Sequence, residues 1–231
     1  MELCRPADQC EASFYSYAAL THLRKNREVL LTHGVTVKSF IPVFLGGINN
    51  GSGNVPPWTL PAKAKYSKFD SARTKSYHGF PDFQTPDFFP PVTLLPQRAL
   101  CFIKSAYPSE LFESVWVEFF NALWVPPHKN ITVPETFKEF LTELGTFTPE
   151  QVAEIMQKAA EKEWKDKLLA NTKEALDKGA FGAPWLWVRN GEGKEEPFFG
   201  SDRFHFIWRF LGVEFRDVEI VRGSKGGKAR L

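Results

Sequence analysis

Two serines three residues apart, Ser13 and Ser16, stand where the first long helical pattern of the chain begins. The first amides of a helix have no intrahelical acceptor and carry the positive end of its dipole, so they favour an anion. A serine at that point has two readings. It caps the helix, as serine commonly does, or it donates its hydroxyl to a bound anion. Ser201-Asp202 repeats the situation near the other end of the chain. Ser201 reads as the cap of a final helix and Asp202 as an acid suited to the dipole; the same amides would also take a carboxylate. Cys4, Cys10 and Cys101 form no Cys-x-x-Cys pair. An odd, low cysteine count argues against a disulfide framework and for a reducing compartment. His22, His33, His78, His128 and His205 show no ligand spacing, so no metal site is expected.

The elements that must position these residues are legible from pattern. The chain has 231 residues, 43% of them hydrophobic, with 22 Phe and 7 Trp. That suffices for one large domain, or one domain inserted in another, with aromatic packing. A net charge of +2 with mixed signs is no footprint for nucleic acid. The longest nearly apolar stretch, Ser114 to Pro127, carries Glu118. It is shorter than the roughly 20 apolar residues of a membrane span. Met1 to Cys10 is polar and lacks the apolar segment of a signal peptide.

Tyr15 to His33 predicts a helix stopped by Gly34. Val35 to Leu45 predicts a strand whose alternation slips once, read as a bulge. Gly46 to Pro57 reads as loop. Thr59 to Leu176 is helical and broken by prolines, with a capping box at Thr148-Pro149-Glu150-Gln151. After a break at Gly179 to Pro184, Trp185–Val188 and Glu196–Phe199 read as a hairpin turning at Asn190–Gly193. A last helix capped by Ser201 ends at Gly212. With one strand ahead of the first helix, the order is βαβ, helical insert, ββα. This is an α/β fold whose domains are 1–57 plus 179–222 and an insert at 58–178. A flexible tail follows at 223–231.

That order is the thioredoxin arrangement with a helical insertion, and five stretches carry a closer resemblance. They are Ala12-Ser13-Phe14-Tyr15-Ser16-Tyr17, Pro42-Val43-Phe44-Leu45-Gly46-Gly47, Ser52-Gly53-Asn54-Val55-Pro56-Pro57, Gly179-Ala180-Phe181-Gly182-Ala183-Pro184 and Phe199-Gly200-Ser201-Asp202-Arg203. In this order and spacing the chain resembles the kappa-class glutathione transferases. The resemblance implies a thioredoxin-like domain with a large DsbA-type α-helical insertion, a homodimer, glutathione as cosubstrate with a small electrophile, and no metal. Bacterial 2-hydroxychromene-2-carboxylate isomerases share the plan and also use glutathione.

By resemblance, Ser13 is the catalytic residue, donating to the glutathione sulfur. Ser16, a turn further in, is the less suited of the two. Phe14 and Tyr15 accompany Ser13 in the glutathione site. The Ala183 backbone beside a cis Pro184 takes the cysteinyl part by strand addition. Ser201, the helix amides and Asp202 take the γ-glutamyl end. Asn54 takes the glycyl end. Lys63 reads equally as a charge for the glycyl carboxylate or as a solvated lysine. Trp58 reads as a pocket wall or as core. A free thiol titrates near 8.5. The dipole offers roughly 0.3–2 kcal/mol and a hydroxyl on a charged partner about 1.5–3 kcal/mol. At about 1.4 kcal/mol per pKa unit, the thiol of bound glutathione would be largely ionised at neutral pH.

Three functions remain open at this stage. They are transfer (conjugation or peroxidase-like reduction), isomerisation of the hydroxychromene type, and glutathione binding with little turnover. The last is favoured by a first strand that looks short and poor. Leu3 to Ala12 has no apolar run, Pro6 cannot donate to a central ladder, and Cys10 stands where the family carries an acid. A disulfide oxidoreductase is disfavoured, because both thiol positions are serine. The terminal Ala229-Arg230-Leu231 resembles the Ser-Lys-Leu peroxisomal address, with mitochondrial matrix or cytosol as alternatives.

Overall fold

A computed structural model describes residues 2–3, 8–10, 13–80 and 82–216, the first two segments as backbone only. Helix α1 runs Phe14–Thr32 and buries Phe14, Ala18, Ala19, Leu20, Leu23 and Leu30 along one face. The strand expected at Val35 to Leu45 is two short strands, β3 (Thr36–Val37) and β4 (Phe40–Pro42). The break between them is where the Lys104 ammonium reaches Ser39 Oγ and the Phe40 carbonyl, the latter at 2.7 Å. A side chain there takes a backbone acceptor that a continuous ladder would use.

The expected loop from Gly46 is in fact a helix, α2 (Leu45–Ser52), capped by Gly53 in the left-handed region. Its glycines argue against a helix by propensity. Packing against α8 (Lys162–Asp177) overrides them. A Cβ on Gly47 would meet the Thr172 methyl at 3.0 Å, so any other residue would make one of the two helices give by a few tenths of an ångström. Thr172 is itself fixed: its Oγ1 donates to the Leu168 carbonyl and accepts from Phe44 N–H. Asn171 Nδ2 donates to the Pro42 carbonyl. The helical insert thus holds the end of β4 and the start of α2.

The insert continues through a 3-10 turn at Pro57–Thr59, α3 (Pro61–His78), α4 (Leu94–Ala106), α5 (Ser109–Trp124), α6 (Pro134–Glu143) and α7 (Pro149–Ala160). Both bonds of the capping box at Thr148 are present. The hairpin forms as β5 (Trp185–Arg189) and β6 (Glu195–Phe199). The last helix, α9 (Phe204–Leu211), starts later than expected, with Arg203 rather than Ser201 at its N-cap. Gly200 at φ 94° turns the chain first and leaves Ser201 outside the helix.

The first strand exists in two pieces. β1 (Glu2–Leu3) lies between β3, to which it is parallel, and β5, to which it is antiparallel, in the order β3-β1-β5-β6. β2 (Asp8–Cys10) pairs in parallel with β4. Pro6 and residues 217–231, including the terminal tripeptide, lie outside the described residues.

One aromatic core joins the insert to the sheet: Phe112, Trp116 and Phe120 of α5 belong to the same cluster as Leu20, Leu23, Val188 and Ile207. Glu113, 4% exposed, is held between Arg27 (2.7 Å) and Arg24 (3.4 Å) and so ties α5 to α1.

Candidate functional site at the start of the first helix

Ser13 is the N-cap of α1, with extended φ −89° and ψ 144°. Its Oγ accepts from Ser16 N–H at 3.2 Å and lies 3.0 Å from Ser16 Oγ. The capping reading therefore holds, without removing the other: an N-cap hydroxyl accepts with its lone pairs and keeps its proton to donate. The first turn contains no acid, so nothing on it cancels the dipole. Ser13 is partly exposed, whereas Ser16 is fully buried. The Ser16 hydroxyl lies deeper than that of Ser13 and reaches it.

Two bonds link other expected residues to one another. Asn54 Nδ2 donates to the Phe181 carbonyl at 2.6 Å, and its Oδ1 accepts from Val55 N–H. That bond fastens the loop after α2 to the segment entering Ala183–Pro184, whose peptide bond is cis as expected. The Pro184 carbonyl accepts from Gly200 N–H at 3.1 Å, which brings Ser201 and Asp202 alongside. Gly200 takes φ 94°, a backbone that favours glycine, and the Asp202 carboxylate folds back to within 2.7 Å of where a Cβ would stand. Ser201 is buried, at 3% exposure.

Tyr15 ties α1 to α3. Its hydroxyl donates to Asp70 of α3 at 2.6 Å. Burial first, then the Asp70 bond and the charges of Asp70 and Asp202, push the phenol well above its ordinary range, so it stays a donor. Asp70 was absent from the expected site. Its signal was present, since it is the single acid of a helix that carries five lysines and arginines. α3 buries none of its residues. Tyr15→Phe should therefore loosen its N-terminal half, read as faster amide exchange over residues 62–70 with α1 unchanged. Equal exchange in the two proteins would mean that the bond holds nothing.

Lys63 sits in the first turn of α3, exposed and without a hydrogen bond or ion pair among the described residues. Trp58 is neither core nor fully open: 40% exposed, it meets Phe89 edge-on at 5.1 Å. Cys101, on α4 within the insert, is buried, and burial pushes its thiol up to about 12, which disfavours the thiolate that a nucleophile needs. A groove of about 280 Å³ between α5 and α6, lined by Glu118, Asn121, Lys129 and Glu143 among others, contains none of these site residues.

Beneath the site, His22 of α1 stacks on Phe204 at 4.1 Å and faces His78 of α3 at 6.4 Å. Burial first, then His78 and Lys25, pull His22 down to about 4. The folded value lies below the unfolded one of about 6.5, so the unfolded chain takes up the proton first as pH falls. The stability this neutral ring contributes is complete above pH 6.5 and is lost as pH falls toward 4. The expected loss is about 2–3 kcal/mol. Urea melts at pH 7 and pH 4.5 should show it, and His22→Phe should flatten the difference. A slope unchanged by that substitution would assign the effect to other groups.

Known proteins share the family and the fold of this chain. Residues 12–212 match the family of DSBA-like thioredoxin domains. The chain is 34% identical over 199 residues to glutathione S-transferase kappa 1 of Caenorhabditis elegans, covering 84% of each. It is 29% identical over 178 residues to glutathione S-transferase kappa 1 of Homo sapiens, covering 75% of this chain and 77% of the human one. Among solved structures, a 2-hydroxychromene-2-carboxylate isomerase superposes with a TM-score of 0.70 at 18% identity, over 91% of this chain and 93% of that one. A probable DsbA oxidoreductase from Streptomyces coelicolor superposes with a TM-score of 0.66 at 17% identity, over 95% and 92%. These last two likenesses carry the fold alone. The match across the thioredoxin domain and the identity to the nematode enzyme together mean that the chain belongs to the kappa-class glutathione S-transferases within the DsbA-like thioredoxin family.

Proposed function

We propose that the chain binds glutathione along the line Ser13, Ala183–Pro184 and Ser201-Asp202, and transfers its thiolate to a small electrophile. The observation that carries this is the Ser13 hydroxyl, partly exposed at the N-cap of an acid-free helix turn. Two further bonds link Asn54 to Phe181 and Gly200 to Pro184, and the charge of Asp202 acts on Tyr15 of the same helix turn. Ser13 donates to the sulfur. Dipole and hydroxyl together stabilise the anion by roughly 2–5 kcal/mol, enough to ionise a thiol of ordinary pKa near neutrality. The thiol proton leaves to solvent. The thiolate attacks an electrophilic carbon, a carbon–sulfur bond forms, and the leaving group departs with the electrons of the broken bond.

In this reading Asp202 holds the γ-glutamyl ammonium and Asn54 the glycyl end. The Ala183 backbone pairs with the cysteinyl residue, and Phe14, Tyr15 and Lys63 border the ligand. The protein works as a homodimer, in keeping with the kappa-class plan. Binding without turnover drew its support from a poor first strand, and the pairing of β1 and β2 weakens that support.

Calorimetric titration with glutathione, followed by conjugation of chlorodinitrobenzene, tests the reading. Binding with conjugation supports it, binding without reaction on any electrophile returns the binding-protein alternative, and no binding ends it. Turnover of a hydroxychromene carboxylate instead would make the chain an isomerase. We assign the terminal Ala229-Arg230-Leu231 to a peroxisomal address. Residues 223–231 fused to a fluorescent protein should give punctate signal, and a diffuse cytosolic signal would refute the assignment.

A further inference from the structure

We infer that Ser16 is a positioning residue for the thiolate: its buried hydroxyl donates to Ser13 Oγ, so that the single proton of Ser13 points at the sulfur. The inference rests on the proposed role of Ser13 and adds to it a residue that does not touch the ligand. Three observations carry it. The Ser16 side chain is wholly buried. A buried hydroxyl must be partnered, and one of its partners is Ser13 Oγ at 3.0 Å. The Ser16 backbone N–H also donates to that oxygen, at 3.2 Å. One residue thus offers two donors to the acceptor side of Ser13.

Either hydroxyl can donate in the pair itself. The ligand decides between them. Ser13 has one proton, and a thiolate is a charged acceptor whereas Ser16 is a neutral one. Hydrogen bonds to charged acceptors are roughly twice as strong as neutral ones, so the Ser13 proton turns to sulfur. The Ser16 proton then turns to Ser13 Oγ. The result is a chain, Ser16 O–H to Ser13 O–H to sulfur, in which each bond polarises the next. Such cooperativity strengthens a bond by about 10–30%. Protonation of the sulfur removes the charge and with it the bias. The relay therefore favours the ionised form specifically, which is the form that reacts. Ser16 lies on the buried face of α1 with Phe14, Ala19 and Leu20.

The test is a double-mutant cycle read on the thiol of bound glutathione. Its ionisation is followed by the ultraviolet band of the thiolate against pH, in wild type, Ser13→Ala, Ser16→Ala and the double variant. Ser13→Ala should raise the apparent pKa by about one to two units. Ser16→Ala should raise it by about half a unit. The double variant should match Ser13→Ala alone, because Ser16 acts only through Ser13. A residue that merely packs or stabilises α1 would leave the thiol unchanged.

An Ser16→Ala thiol like wild type, beside a shifted Ser13→Ala, would overturn the relay and leave the role of Ser13 standing. Shifts that add in the double variant would also overturn it. No shift in Ser13→Ala would sink the thiolate reading itself, and the relay with it. Should Ser16→Ala fold poorly, Ser16→Thr and Ser16→Val replace it. The two side chains have the same shape and differ in the hydroxyl. Thr should keep the lower pKa and Val lose it, and equal values would refute the inference.

Discussion

Replacing Ser13 with alanine should lower kcat/KM for conjugation about 10- to 100-fold at pH 7, with activity returning as pH rises. The variant removes a hydroxyl bond to the developing and ground-state thiolate, worth about 1.5–3 kcal/mol. That moves the thiol up by about one to two units, and the ionised fraction near neutrality falls in proportion. Above the new pKa the thiol ionises unaided, so the rate recovers. Affinity for glutathione should fall much less, because the proposed site assigns its two ends to Asn54 and to the Ser201-Asp202 segment. The pH profile separates this role from simple capping, since Ser13 also accepts from Ser16 N–H. Loss of an N-cap costs about 1 kcal/mol of stability and has no reason to shift a pH–rate profile. A profile identical to wild type would remove Ser13 from the chemistry.

The second large effect concerns stability. Glu113→Ala should destabilise the protein by about 3 kcal/mol, toward the low end for one partner of a buried ion pair. At about 2–4 °C per kcal/mol in a chain of this size, the melting temperature should fall by roughly 10 °C. The carboxylate is 6% exposed at its side chain, and the arginines are 31% and 30% exposed. Those arginines can rehydrate when their partner is lost, which is why the low end applies. Glu113→Gln keeps volume and acceptor but drops the charge, and should lie between. Thermal melts of the three proteins decide it; an alanine variant as stable as wild type would show that the clamp contributes nothing. Because Glu113 grips α1, the alanine variant should also raise amide exchange along that helix.

Periodicity and punctuation carried most of the fold. α1 follows from apolar spacing, the α7 start from its capping box, the hairpin from its turn residues, and the end of α9 from Gly212. Each is a local signal, and local chemistry suffices to set such boundaries. Local signals failed where distant partners decided. α2 is helical although its glycines oppose it, because they allow contact with α8 some 120 residues later in the chain, as the Phe44–Thr172 separation of 128 residues illustrates. α9 starts after Ser201 because Gly200 turns the chain beside Pro184. The strand after α1 divides at Ser39 because Lys104 reaches in from α4.

The site divides in the same way. By itself the sequence determined that Ser13 stands before α1 and Ala183–Pro184 before β5, and it put Asn54 in a loop and Ser201-Asp202 near the start of the last helix. These positions depend on order and spacing, which a chain carries along its length. Only the tertiary structure decided what those residues touch. It joined Asn54 to the Phe181 carbonyl, brought Asp70 to Tyr15, and set a buried Ser16 hydroxyl against Ser13. Two of those contacts link residues 127 and 55 positions apart. No short-range pattern encodes such a pairing, because it depends on how packed elements lie across one another.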